Sequence, residues 1–211
     1  MSYKFRQYCV YLCCIGIPVI SSADIVDFKP FDNQVALGVN MVSANNAGQL
    51  SEGFSGNISV SRLTDGGFFY NGAYSFGGSS NFTNNFGYAI SLGQYMQITP
   101  GGTLKIGHVN SSSAGLENNT DIYSQQLGFR YEVKPNNNLN VYGLASYGLA
   151  EQSTNSSPLG YSEGYILGLG LTYRPMVDVP WVVNTSYAYN GYASSSLSSS
   201  NQLMLSTGYA F

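Results

Sequence analysis

From about residue 33 onward, apolar and polar positions alternate along the chain in segments near the length that crosses a bilayer at a tilt. Ten such segments can be drawn: 33–44, 50–63, 67–78, 85–98, 102–111, 121–134, 138–150, 160–174, 180–191 and 201–211. Phe68, Tyr70, Tyr74 and Phe76 oppose Asn71, Ala73, Ser75 and Gly77. Phe86, Tyr88, Ile90, Leu92 and Met96 oppose Gly87, Ala89, Ser91 and Gly93, and Tyr165, Leu167, Leu169, Leu171 and Tyr173 oppose Gly164, Gly168, Gly170 and Thr172. The seventh segment is ambiguous, because Val141 and Tyr147 compete with Tyr142 and Leu144 for one face. In the last, Leu203, Leu205, Thr207, Tyr209 and Phe211 share a face opposite Gln202, Met204, Ser206, Gly208 and Ala210.

The connections between these segments also alternate. Thr64–Gly67, Thr99–Gly102, Lys134–Asn138 and Arg174–Pro180 are tight and rich in Gly, Asn and Pro, the residues that supply positive φ or a preset corner. Those around 44–53, 78–84, 112–120, 151–159 and 192–200 are longer runs of Ser, Asn and Gly. Tight and long connections in strict alternation predict an all-β, antiparallel, up-and-down transmembrane β-barrel with both termini at one end. Ten strands is the count, with eight or twelve as the alternatives.

The ending resembles the C-terminal strand of bacterial outer-membrane β-barrel proteins, where a terminal Phe and alternating apolar residues are read by the barrel-assembly machinery. The resemblance implies that Leu205, Tyr209 and Phe211 form an assembly signal. The glycine often found five residues before that Phe is Ser206 here, with Gly208 closer to the end. A closed barrel also accounts for an apolar final strand, since that strand pairs with the first instead of leaving an edge open to other chains.

The start of the chain reads differently. Lys4 and Arg6 precede an apolar run over 9–20, followed by the small residues Ser21-Ser22-Ala23. That is the layout of a secretory signal peptide over 1–23, and the apolar run is too short to span a bilayer. Residues 24–32 become a periplasmic lead-in, and 33–211 the transmembrane barrel of a Gram-negative outer membrane. Cys9, Cys13 and Cys14 all fall in the removed segment, so the mature chain carries no disulfide and no thiolate metal site. A lipoprotein signal is set aside because small residues do not precede Cys13 or Cys14.

Charge narrows the partners. Of eight basic residues, six remain after Lys4 and Arg6 are removed, against eleven acidic ones. The mature balance of about −5 argues against nucleic acid. Eighteen tyrosines in a chain with few charges suit a membrane interface, because Tyr is apolar in body and wet at its tip. No mature segment reaches eighteen consecutive apolar residues, so crossing by helix is not expected.

The inward face of the proposed strands is mostly Gly, Ser, Ala and Asn, with Lys105, Arg130 and Glu132 as its main charges. Arg130 and Glu132 lie two apart, share a face, and are expected to meet Lys105 from the neighbouring strand. Such a cluster either plugs a small barrel as a buried ion network or lines a narrow passage. Glu52, Glu117, Asp121, Glu151 and Glu163 fall in or beside the long outer loops, while Lys29, Arg62, Lys134 and Arg174 fall at the opposite rim. If a passage exists, that layout favours cations entering from outside.

His108 is the only histidine. Outer-membrane lipases and lipid A deacylases place a His and a Ser two apart on a strand. Here Ser111 is three away, on the opposite face, and only Asp121 is in a position to approach across the hairpin. A metal site of the His-rich kind is ruled out by count. Nothing calls for a cofactor, and Gly168-Leu169-Gly170 lacks the third glycine and helix of a phosphate loop.

Two functions are therefore expected of this outer-membrane barrel. One is a small, non-specific, cation-preferring channel. The other is a closed structural or surface barrel presenting Ser/Asn-rich loops for adhesion or lipopolysaccharide contact. A lipid-modifying enzyme is a remote third; the chain is read as not an enzyme. Its expected partners are outer-membrane lipids or lipopolysaccharide and the barrel-assembly machinery.

Overall fold

The computed structural model describes residues 29–46, 49–77, 79–113, 116–154, 157–176, 178–193 and 199–211. The signal segment over 1–23 and the lead-in up to residue 28 lie outside the described residues. The chain enters through a four-residue helical turn, α1 (Lys29–Asp32), and then runs as antiparallel strands. These are β1 (Gln34–Asn46), β2 (Gln49–Leu63), β3 (Phe68–Gly77), β4 (Ser79–Tyr88), the two-residue β5 (Ile90–Ser91), β6 (Met96–Ser113), β7 (Leu116–Asn136), β8 (Leu139–Thr154), β9 (Ser157–Tyr173), β10 (Trp181–Tyr192) and β11 (Ser199–Ala210).

Consecutive strands pair except β4 and β5, β11 pairs with β1, and β4 pairs with β6. Ten strands therefore close into a ring, and β5 is a short addition beside β6. The closing pair is in register from Gln34 opposite Ala210 to Asn45 opposite Ser199. The final Phe211 is tied by its backbone N–H to the Asn33 carbonyl at 2.9 Å.

The alternation sorts side chains by face. Leu37, Leu127, Leu169 and Leu205 are 58%, 76%, 67% and 54% exposed on the outer surface. Asn40, Asn57, Gln126, Asn140 and Ser206 are buried inside. In the ambiguous seventh segment, Val141 and Tyr147 point out, while Tyr142 and Leu144 line the interior. Such a surface is stable only in an apolar solvent, where a closed ladder leaves no backbone group unpaired. Aromatic residues mark its lower margin: Trp181 meets Tyr209 edge-to-face at 6.1 Å. Among the described residues, no helix is long and apolar enough to cross a membrane.

Three of the tight connections lie together at one end of the barrel with α1 and the C-terminal Phe211. At the first, the Phe68 N–H donates to Thr64 Oγ1 at 3.0 Å, and Gly67 takes φ 82°. The fourth expected turn is elsewhere. Residues 99–102 lie within β6, and the chain instead turns at 92–95, where Gly93 takes φ 134°. Gly101 and Gly102 are needed for close approach: a Cβ on Gly102 would stand 2.8 Å from the Phe86 ring, which lies over it from β4.

The adjoining loop expected over 78–84 is likewise strand from Ser79 onward, and Gly78 lies outside the described residues. Thr103 Oγ1 donates to Asn85 Oδ1 at 2.8 Å, and Asn85 Nδ2 donates to Asn71 Oδ1 at 3.3 Å, so these polar side chains form a ladder across β6, β4 and β3. Three of the other long loops prove to be mostly paired strand, up to Asn46 opposite Gln49, Ser113 opposite Leu116 and Thr154 opposite Ser157. A polar composition reads as loop, yet a two-stranded ladder in water needs no apolar face to satisfy its backbone.

Candidate functional site in the barrel lumen

The interior is not uniform along its axis. At the turn end, α1 brings Phe31 and Asp32 inward, and both are 1% exposed. Gln34 Nε2 caps the Phe31 carbonyl at 2.7 Å, and Asn33 Oδ1 accepts the Leu63 N–H at 2.6 Å. Asp32 leads into β1, and β7 is the fifth strand away around the ring in either direction. The Asp32 carboxylate nevertheless meets Arg130 of β7, with Nη2 to Oδ1 at 3.4 Å. The N-terminal turn therefore crosses the lumen to the opposite wall.

Arg130 is the hub of this floor. Its Nη2 donates to Glu132 Oε1 at 2.6 Å, and its guanidinium lies 4.2 Å from the Tyr142 ring centroid and 4.8 Å from that of Phe69. Glu132 is fully buried and takes two more donors, Asn140 Nδ2 at 3.0 Å and Gln97 Nε2 at 2.9 Å. Multiple donors let a carboxylate stay charged away from water. Tyr142 reaches Arg130 across Gly170, whose missing side chain leaves room for the ring. Leu63 and Phe69, with Ala89 against them, supply the apolar part of the floor. Burial lifts the Asp32 carboxyl well above the usual carboxylate range; Glu132 pushes it the same way and Arg130 opposes.

Lys105 is not part of this cluster. It faces Ser124 of β7, whereas Arg130 and Glu132 face Thr99 and Gln97. Six residues of strand separate Lys105 from Thr99, about 20 Å of rise. The meeting expected of these three residues fails on register alone, and Asp32, Gln97 and Asn140 take the place given to Lys105. Above the floor lies a cavity of ≈ 210 Å³, lined by Lys105 and by Asn57, Asn85, Thr103, Ser146 and Asn190 among others. Its wall includes Arg130 and Phe69 at the bottom but stops short of Phe31, Asp32 and Glu132.

No protein-family model matches the sequence, and no curated protein matches it either. Solved structures do. The barrel is similar to the β domain of the Bordetella autotransporter BrkA, at 10% identity over 85% of this chain and 100% of that one, with a TM-score of 0.53. The fold is that of an outer-membrane β-barrel. It is similar also to Ail, the attachment invasion locus protein of Yersinia pestis (16% identity, 84% and 97% coverage, TM-score 0.48). The outer membrane protease OmpT from Escherichia coli is a further neighbour (10% identity, 90% and 100% coverage, TM-score 0.46). At these identities the likeness is one of fold alone.

The remaining candidate residues whose side chains are described sit on the outside of this outer-membrane fold. Asp121, Glu151 and Glu163 belong to strands β7, β8 and β9, not to loops, and alternate with the outward Tyr123, Tyr147, Tyr161 and Tyr165. They lie on the outward face of three adjacent strands. Glu52 and Glu117 occupy positions on β2 and β7, and their side chains lie outside the described residues. His108 pairs in register with Asp121, and Nδ1 lies 2.7 Å from Asp121 Oδ1, with both side chains well exposed. Leu205, Tyr209 and Phe211 form an outward row at the end of the chain.

Proposed function

We propose that the chain is a closed outer-membrane barrel that presents polar β-hairpins at the bacterial cell surface, with its termini and tight turns in the periplasm. The floor built by Asp32, Arg130 and Glu132 across the lumen carries this reading, because it buries the route that a solute would take. Extended hairpins such as the one formed by β6 and β7 give the surface face its reach. Their Ser, Asn and Thr residues suit contact with lipopolysaccharide or another hydrated surface. The outward row Leu205, Tyr209 and Phe211 is the segment offered to the assembly machinery.

A cation-preferring channel draws little support from the geometry. The described acids of the hairpin end point away from the lumen, and the charges that line the cavity above the floor, Lys105 and Arg130, are both cations. Catalysis is not assigned. The exposed His108–Asp121 pair is read as a contact at headgroup level, so His108→Ala should leave the lipid profile of the cell unchanged; altered acylation would restore the enzyme reading.

Orientation is tested with single cysteines in the mature chain, at Ser113 in a hairpin and at Asn137 in a tight turn. A bulky polymer-linked maleimide added to intact cells should label Ser113→Cys and reach Asn137→Cys only after the outer membrane is permeabilised. The reverse pattern would contradict the proposed topology.

A further inference from the structure

Arg130 and Lys105, the two cations that line the cavity, are treated unequally. Arg130 has two carboxylates and two aromatic faces. Lys105 lines the cavity above, and no ion pair to it occurs among the described residues. A cation withdrawn from bulk water without a counter-charge is costly, so its persistence calls for an anion that the chain itself does not supply.

Its surroundings define what that anion must carry. Ser124 stands opposite Lys105 on β7 and is buried behind the cavity wall, not among its lining residues. Thr83 stands opposite Lys105 on the other side, on β4. Asn57 spends its amide N–H on Ser75 Oγ at 3.2 Å, leaving Oδ1 buried without a donor. The cup thus offers the Lys105 ammonium and the Thr83 hydroxyl for an oxyanion, and the unspent amide oxygen of Asn57 for a hydroxyl that donates. Tyr142 and Leu144 add apolar surface for carbon atoms. The ≈ 210 Å³ volume holds a ligand of about a dozen heavy atoms.

We propose that the luminal cup above the floor is a binding site for a small hydroxylated carboxylate, its carboxylate on Lys105 and its hydroxyls on the asparagine-rich wall. Entry is from the hairpin end, since the floor closes the other. The site does not depend on the floor staying shut under a membrane potential, and Lys105 is remote from it. A conducting wild-type barrel would thus overturn the closed-barrel reading and leave this one standing.

The test is isothermal titration of the folded full-length mature barrel, in detergent or nanodiscs, with D-gluconate as the probe. D-Glucose and acetate, which carry the hydroxyls and the carboxylate separately, serve as controls. Saturable binding of gluconate, at least tenfold weaker in Lys105→Gln and absent for both controls, is the expected result. Heat-modifiable gel mobility verifies that the variant has folded; should it fail to fold, Asn57→Ala gives the same comparison. Absence of gluconate binding, or equal binding to wild type and variant, would overturn the proposal. Acetate binding as tightly as gluconate would also overturn it, since the hydroxyls would then contribute nothing.

Discussion

Arg130 shows how much one residue can hold together when it is buried among carboxylates. Removing it leaves Asp32 and Glu132 facing each other without a cation, so Arg130→Ala should cost about 3–5 kcal/mol in urea unfolding of the lipid-embedded barrel. Asp32 adds a pH dependence of defined sign. Its carboxyl is raised above the ordinary value of 3.8, so the folded barrel holds that proton more tightly than the unfolded chain. Its contribution to stability is therefore full below that ordinary value and declines as pH rises toward the raised one. Asp32→Asn should remove this decline, read as the urea midpoint against pH; an unchanged slope would locate the dependence elsewhere. Arg130 and Glu132 were legible in the sequence because two charges two apart on a strand must share a face. Asp32 was not, because it precedes the first strand and reaches its partner only through ring closure. Lys105 was assigned to the wrong partners, since strand register is invisible in a single alternating pattern.

Strands and their connections were read best where alternation was strict and worst where polar residues filled both faces. β9 and β11 follow their apolar rows residue by residue. β4 was missed over Ser79–Asn84, where inward Asn81 and Thr83 and an outward-side Asn84 dilute the signal of Phe82 and Phe86. The Pro100-Gly101-Gly102 run looked like a corner because Gly and Pro punctuate turns, but Gly102 here admits the Phe86 ring and Gly101 the close approach of the β4 backbone. Gly102→Ala should cost about 1–3 kcal/mol through overpacking, and Phe86→Ala in the same chain should recover most of it. Equal urea midpoints for Gly102→Ala and wild type would show that the ring does not need the space. The hairpin beyond the membrane is predicted to be separable from the barrel. Excising 111–118 and rejoining the strands through Asn-Gly should change stability by no more than about 0.5 kcal/mol, as for other surface changes away from packed features.

For the molecule as a whole, the ten-strand ring puts its apolar residues outside and keeps its polar ones within, which inverts the rule for proteins in water. That inversion was present in the alternation, the tyrosine content and the final strand. What the pattern did not disclose is that the inside is divided into a floored lower end and an open cup. The division depends on α1 crossing to β7, and on the register that sets Lys105 six residues above Thr99. The floor is the central claim, and single-channel recording of the full mature barrel in planar bilayers tests it most directly. The account predicts a silent membrane even when insertion is verified by heat-modifiable protein in the bilayer. Regular, sustained conductance steps from the wild-type chain would contradict it.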